Sequence, residues 1–312
     1  MSDLVLAADL GGTNLRMATV DAAGVVAHLV KRPVPEDVSP HQLVAFIDKI
    51  AGQVLDDVDR SRIAAIAFTA PAPVTDDFDG VLTKLPNLGS VTGMNLKVEL
   101  EKLFSLPVVI ENDATAAAIG ENWIGASRGV ENCVTVTLGT GIGGGIIING
   151  RPIRGKDGIG GEIGHMTVEP GGRPCKCGNQ GCVEEYASAT ALARMAVDHR
   201  HPARSSLQLY ESWQQGDPIA EQIFATMGRS LGQMLAGLAN ALNPEMFVIC
   251  GGVAEGIDAF GDHVRTEIAA RAYPAAAKTG VVVKGELGDN AGIIGVARSA
   301  FVRMGTHSIE GL

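Results

Sequence analysis

Apolar and polar positions alternate in two distinct periods along the chain. Leu4 to Leu10 is a short apolar run, Gly-Gly-Thr-Asn follows, and Leu15 to Val20 is apolar again, which predicts strand, tight turn, strand. A second turn over Asp21 to Gly24 leads to a third strand around Val25 to Lys31. From Pro40 to Asp57 the period lengthens: Leu43, Ile47, Ile50 and Val54 share one face of a helix. Ile63 to Phe68 predicts a buried strand, ending in a loop that carries Pro71 and Pro73. Leu96 to Phe104 is predicted helical, Pro107 to Glu111 a strand, and Asn112 and Asp113 open an Ala-rich helix to about Trp123. Strand and helix in alternation define an α/β protein.

The pattern then restarts. Cys133 to Leu138 predicts a strand, the glycine-rich stretch after it a turn, and Ile146 to Asn149 a returning strand. Ser188 to Val197 is helical, and Ile219 to Leu242 is a long helix whose stripe of Ile223, Met227, Leu231, Leu235, Leu238 and Leu242 faces a core. Asn243-Pro244 stops it. Met246 to Cys250 and Val281 to Lys284 predict strands, and Ala291 to Arg303 a final helix. Each half carries strand, glycine turn, strand and then helices, a structural echo without a sequence repeat. With no long linker between the halves, a packed and hinged cleft is expected.

Length and composition refine this picture. At 312 residues two domains of ordinary size are expected. Hydrophobic residues make up 46% and aromatics only 4%, so the cores must be built from Ala, Val, Ile and Leu. The 40 glycines fall in short runs, which marks special turns rather than low complexity. A net charge of −10 argues against nucleic acid as the main partner, since phosphate contacts need a basic surface. It leaves room for a nucleotide held by a few backbone N–H groups. No basic segment followed by an apolar one opens the chain, and no apolar run approaches a membrane span, so a cytoplasmic location is expected. Cys133 and Cys250 lie in apolar strands and read as buried thiols.

The remaining cysteines carry chemistry. Cys175, Cys177 and Cys182 lie close together, with His165 ten residues ahead of the first. Three thiols and an imidazole complete a tetrahedral zinc set with no position left for water, which makes the metal structural. The spacing matches neither a redox dithiol nor a zinc ribbon, and a disulfide would leave one thiol over. His165 taken alone reads more readily as a satisfied polar residue; the need for a fourth ligand, and a Gly-rich chain able to fold back to supply it, are what recruit it. Such a knot would hold Glu162, His165 and Glu184 at the edge of a pocket.

Three glycine turns and one aspartate are the other candidates. Asp9-Leu-Gly-Gly-Thr-Asn14 joins two strands: its glycines let backbone N–H groups approach a phosphate, Thr13 adds a hydroxyl, and Asp9 suits a hydrated Mg2+. An ordinary hairpin turn explains it as well. Gly139, Gly141 and Gly144 form a G-x-G-x-x-G, but Ile146-Ile-Ile after it is strand-like, so a dinucleotide fold is excluded and a second phosphate-binding hairpin fits better. Gly251-Gly252 after an apolar strand suits a nucleoside lying on backbone, or is only a turn. Asp113, between strand and helix, reads as an N-cap. The helix N-terminus also favours its carboxylate, which could accept a proton from a substrate hydroxyl in phosphoryl transfer. Asn112 beside it offers both donor and acceptor to a sugar hydroxyl.

Taken together, DLGGTNLR at 9–16, ENDATAAA at 111–118, LGTGIGGG at 138–145, GGEIGH at 160–165, CKCGNQGCVE at 175–184 and NPEMFVICGG at 243–252 resemble the ROK family of sugar kinases and repressors, within the hexokinase–actin ATPase superfamily. The pieces run in family order over nearly the whole chain. The resemblance implies a two-domain ribonuclease H-like α/β fold with an interdomain cleft, residues 1–113 plus 293–312 forming the small domain and 114–292 the large one. It implies Asp9, Gly11, Gly12, Thr13, Gly139, Thr140 and Gly141 as phosphate-binding turns, Gly251 and Gly252 as adenosine contacts, and Asp113 as catalytic base. Asn112, Glu162, His165 and Glu184 would contact sugar hydroxyls, with His165, Cys175, Cys177 and Cys182 as zinc ligands. The implied cofactors are ATP, Mg2+ and structural Zn2+, and the implied assembly is a homodimer. The family resembled most is that of bacterial ATP-dependent glucokinases, which implies glucose phosphorylation; fructose, mannose and N-acetylhexosamines are alternative acceptors. At 85–90 the chain reads Leu-Pro-Asn-Leu-Gly-Ser where many members continue Pro-Asn-Leu with Pro-Gly-Trp, at a loop bordering the sugar. A sugar-responsive repressor would need a helix-turn-helix ahead of Leu4, where no room is expected. A zinc-based nucleic-acid module would need more than Arg173 and Lys176 beside the thiols.

Overall fold

The computed structural model of the chain describes residues 4–305 apart from Gly12, Glu36 and 71–88. It divides into two compact units, one of Met1–Gly129, Gly150–Gly160 and Asn290–Leu312, the other of Val130–Asn149 and Gly161–Asp289. The proline loop at Pro71 and Pro73, most of the departure at 85–90, and Gly12 fall outside the described residues.

In the first unit β1 (Leu4–Leu10), β2 (Asn14–Asp21) and β3 (Val26–Pro33) run antiparallel, with Leu10 opposite Leu15 at the first turn. Helix α1 (Pro40–Val54) starts at a capping box of Ser39 and Gln42 and buries the predicted Leu43, Ile47, Ile50 and Val54. β4 (Ile63–Ala70) pairs in parallel with β1, α2 (Leu96–Phe104) follows, and β5 (Val108–Asn112) pairs in parallel with β4. α3 (Asp113–Ile124) leaves directly from β5. The sheet order is β3-β2-β1-β4-β5. The two-residue period of β1 sorts its side chains: Leu6, Ala8 and Leu10 pack with α1 and α2, while Val5 and Ala7 pack with α3 on the other face. An expected boundary after Asp113 falls at the head of α3, and the structure carries α3 with the first unit because Ala116 shares that second core with Ile293, Val296 and Ala297.

The second sheet is built from β6 (Cys133–Leu138), β7 (Ile142–Ile148), the two-residue β8 (Arg151–Pro152), β9 (Met246–Cys250) and β10 (Val281–Lys284). Its order β8-β7-β6-β9-β10 repeats the first sheet strand for strand, antiparallel hairpin followed by parallel partners. The echo predicted from sequence is therefore a topological repeat. Between β8 and β9 lie α4 (Glu184–Ala187), α5 (Ala189–Asp198), α6 (Ser206–Gln214) and α7 (Pro218–Leu242); α8 (Ile257–Arg271) and α9 (Ala276–Thr279) precede β10. The last helix, α10 (Ala291–Arg303), lies on β1 and α3 of the first unit. α7 ends at Asn243, in the left-handed region with φ 46°, just before Pro244. Among the described residues no helix is long and apolar enough to cross a membrane.

One strand begins earlier than its sequence suggests. β7 starts at Ile142, not Ile146, and Gly143 to Gly145 pair with Thr137 to Thr135. Glycine is a poor strand former, yet a Cβ on Gly144 would sit 2.5 Å from the Ile163 side chain. The run is a strand whose face is covered at backbone distance by Gly161 to Gly164. Helices α6 and α8 were also not anticipated. The apolar stripe of α8, Phe260, Val264 and Ile268, is short and interrupted by charge, and it packs against α7.

Candidate active site

The first unit holds one set of candidates. Asp9, one residue before the end of β1, accepts a short hydrogen bond of 2.5 Å from the Thr69 hydroxyl of β4, which fixes the carboxylate at the glycine turn. The turn is closed by Gly11 N–H to Asn14 O at 3.0 Å, and Thr13 O accepts from Val34 N–H at 2.9 Å. The N-cap of α3 is Asn112, not Asp113: its Oδ1 accepts from Thr115 N–H at 3.0 Å. Asp113 takes the first helical position, its Oδ1 accepting from Ala114 N–H at 2.8 Å. Capping and carboxylate chemistry are thus divided between two neighbouring residues.

Behind them sits a pair that sequence reasoning missed. Glu111, 1% exposed, accepts from Arg154 Nη2 at 2.5 Å and from Arg154 Nε at 3.2 Å. Its Oε1 also accepts from Asn112 N–H at 3.2 Å. A carboxylate at the end of an apolar strand must find a cation, and that requirement is the signal that could have exposed it. The pair ties the Gly150–Gly160 segment to the strand that presents Asp113. Arg154→Ala leaves Glu111 buried without its cation, which is expected to cost about 3–5 kcal/mol. Thermal unfolding checks it, with Tm lowered by about 10 °C.

The second unit holds the cysteine knot. One ligand atom from each of His165, Cys175, Cys177 and Cys182 lies within 4.8 Å of the others, an arrangement that could hold a metal ion. Cys175 Sγ is 3.6 Å from His165 Nδ1, and Cys177 Sγ is 3.7 Å from Cys182 Sγ. A few backbone bonds shape the loop: Val168 N–H to Gly181 O and Val183 N–H to Met166 O, both 2.9 Å, and Cys175 N–H to Asn179 O at 2.8 Å. Burial raises the Cys175 thiol and pushes Cys182 up to about 12, while the Asn179 backbone N–H and then the neighbouring thiols lower exposed Cys177. With Nδ1 turned to the sulfurs, His165 points Nε2 the other way, 3.8 Å from Glu162 Oε2. Glu162 precedes the short 3₁₀ turn Ile163–His165 and does not spend its carboxylate on capping it.

Glu184 opens α4 two residues after Cys182, near Cys175, and its Oε2 accepts from the backbone N–H of Ile142 at 2.8 Å. It therefore joins the knot to the turn between β6 and β7. That turn is further tied to the start of α5 by Ala189 N–H to Gly139 O at 2.9 Å and the Thr190 hydroxyl to Thr140 O at 2.7 Å. The glycines of the turns are not equivalent. A Cβ on Gly139 or Gly252 would meet nothing within 4 Å. One on Gly251, where φ is 89°, would strike Leu138 O at 2.4 Å, and one on Gly141 would strike Glu184 Oε2 at the same distance. Cys133 and Cys250 are buried, as expected.

Asp9, Asn112 and Asp113 thus belong to the first unit, and Glu162, His165, Glu184 and the second and third glycine turns to the second. Two sheets of one repeated topology, each opening on a glycine hairpin, define the two-domain actin-like ATPase fold. The chain belongs to the ROK family, which it matches over residues 5–301. The glucokinase of Halalkalibacterium halodurans is 35% identical over 303 residues, 92% of each chain. The glucokinase of Thermotoga maritima is 32% identical over 96% of this chain and 98% of its own. The ROK family glucokinase of Streptomyces griseus, solved in complex with glucose and AMPPNP, superposes with a TM-score of 0.79 at 32% identity, over 95% of this chain and 98% of that one.

Proposed function

We propose that the protein is an ATP-dependent glucokinase that transfers the γ-phosphoryl group to the C6 hydroxyl of glucose. The observation that carries the reading is the placement of Glu162, His165 and Glu184 along one loop that could hold a metal ion, with Glu184 bonded to a glycine turn. Similarity to glucokinases over nearly the full chain supports the same substrate pair.

Asp113 accepts the proton of the attacking hydroxyl, and Asn112 binds a neighbouring one. Glu162 and Glu184 accept hydrogen bonds from sugar hydroxyls, and His165 contributes Nε2. The backbone of the turns at Gly11 to Thr13 and Gly139 to Gly141 receives the phosphates, and Gly251 and Gly252 receive the nucleoside. Asp9, oriented by Thr69, is the carboxylate that would hold the water shell of a Mg2+ ion, which would supply charge neutralisation to the triphosphate.

The knot fits zinc. Bonds of about 2.3 Å to sulfur and about 2.0 Å to nitrogen at tetrahedral angles put sulfurs about 3.8 Å apart and sulfur and nitrogen about 3.5 Å apart. The two pairs measured at 3.7 and 3.6 Å agree. With four protein ligands the metal has no open position and supplies rigidity rather than Lewis acidity. The His165 ring serves both sides: Nδ1 for the metal, Nε2 for the sugar. A homodimer, which the family resemblance implies, and a cytoplasmic location complete the proposal.

ADP release measured across glucose, mannose, fructose, N-acetylglucosamine and N-acetylmannosamine tests the substrate. Glucose is expected to give the highest kcat/KM, by about tenfold or more over mannose, since a site that hydrogen-bonds a hydroxyl penalises its misplacement. A higher value for an N-acetylhexosamine would overturn the assignment.

A further inference from the structure

Gly141 is the point where the phosphate turn and the sugar-binding loop touch. The Glu184 carboxylate occupies the space a side chain at 141 would need, at 2.4 Å from its Cβ, and the same oxygen accepts from Ile142 N–H at 2.8 Å. Gly139, two residues earlier in the same turn, has open space around its Cβ position. A glycine needed only for phosphate approach would resemble Gly139. Gly141 instead faces an acidic side chain of the knot. Glu184 is constrained from the other end too, because it follows Cys182 by two residues and lies against Cys175.

We infer that Gly141 is a positioning residue for the sugar, seating the Glu184 carboxylate on the Ile142 amide so that the β6–β7 turn couples sugar binding to nucleotide binding. This rests on the glucokinase reading above and goes beyond it, by moving one residue of the nucleotide turn to the sugar side. Sugar that grips Glu184 draws on the turn through the Ile142 N–H, and nucleotide that grips the turn draws on Glu184. Linkage makes the effect reciprocal.

The test sets Gly141→Ala against Gly139→Ala. Glucose affinity is measured by calorimetry without nucleotide, KM for ATP by ADP release at saturating glucose, and zinc per chain for each variant. Gly141→Ala is expected to weaken glucose binding by about 10–100-fold and, through the coupling, to raise KM for ATP by a smaller factor, with Gly139→Ala acting first on ATP. A Gly141→Ala variant that leaves glucose affinity intact, or that raises KM for ATP by a larger factor than it weakens glucose binding, overturns the inference. A second measurement does not depend on that variant folding. In Glu184→Ala the Ile142 amide, followed by NMR hydrogen exchange, should exchange at least about tenfold faster than in the unmodified protein. Unchanged exchange overturns the inference. Wild-type protein that binds no hexose in calorimetry would sink the glucokinase reading and this inference with it, a result distinct from wild-type binding that Gly141→Ala leaves untouched.

Discussion

Asp113→Asn is expected to lower kcat by about 10²–10⁴-fold, the usual contribution of a positioned general base, with KM for glucose and ATP within about threefold of wild type. The geometry makes this substitution unusually clean. Asn112, not Asp113, caps α3, so the helix keeps its terminal bond to Thr115 N–H. The carboxamide oxygen of Asn can still accept from Ala114 N–H, the bond that Asp113 Oδ1 makes at 2.8 Å. What is lost is the ability to take a proton. Tm should accordingly change little, and the activity loss should be the same at every sugar concentration. Steady-state kinetics and one melting curve decide it. A kcat reduced less than about tenfold would show that the hydroxyl needs no base there and that Asp113 is a helix-terminal residue only.

Much of this was legible before any coordinates. Most strands of both sheets, the long helix and its stripe, and the grouping of His165 with Cys175, Cys177 and Cys182 follow from periods and spacings, because each is fixed by local chemistry. The stripe of α7 is buried as read, from Ile223 to Leu238, with Leu242 packed half-buried at its end. The illegible parts depend on which backbone lies opposite. The Gly143 to Gly145 stretch reads as a turn because glycine disfavours strands; only the Ile163 side chain packed over Gly144 shows why a strand there must be bare. The division of labour between Asn112 and Asp113 needs the helix phase to within one residue. Arg154 lies 43 positions from Glu111 in sequence, with nothing local to announce the pairing. Thr69 meets Asp9 only because β4 lies parallel beside β1.

Cys177→Ser is expected to lose zinc and, with it, glucose affinity by about tenfold or more, since the fourth ligand is what closes a structural site. Cys177 is the informative choice of the three thiols. It is exposed, so serine there opens no cavity, whereas Cys182 is fully buried and its replacement would disturb packing as well. Without the metal the loop keeps isolated bridges, Thr167 with Cys182 and Pro174 with Gln180, its backbone bonds, and a few side-chain contacts such as Asn179 to Thr167 and Arg173 to Asp198. That is little to hold a glycine-rich segment against its conformational entropy of about 1–2 kcal/mol per residue. Glu162 and His165 ride on its near end and Glu184 on its far end, so their mutual geometry should loosen together. Chelation of the wild type should reproduce the loss, and added zinc should reverse it in the wild type but not in the variant. Acid should act in the same direction. The metal-free Cys182 thiol, held up at about 12 by burial, must give up its proton for zinc to bind, so metal affinity falls as pH falls. Zinc content by atomic absorption, read beside glucose affinity by calorimetry at each pH, follows the two losses together. Metal-free protein with undiminished glucose affinity would mean that the loop's own hydrogen bonds and ion pair hold it in place without the metal.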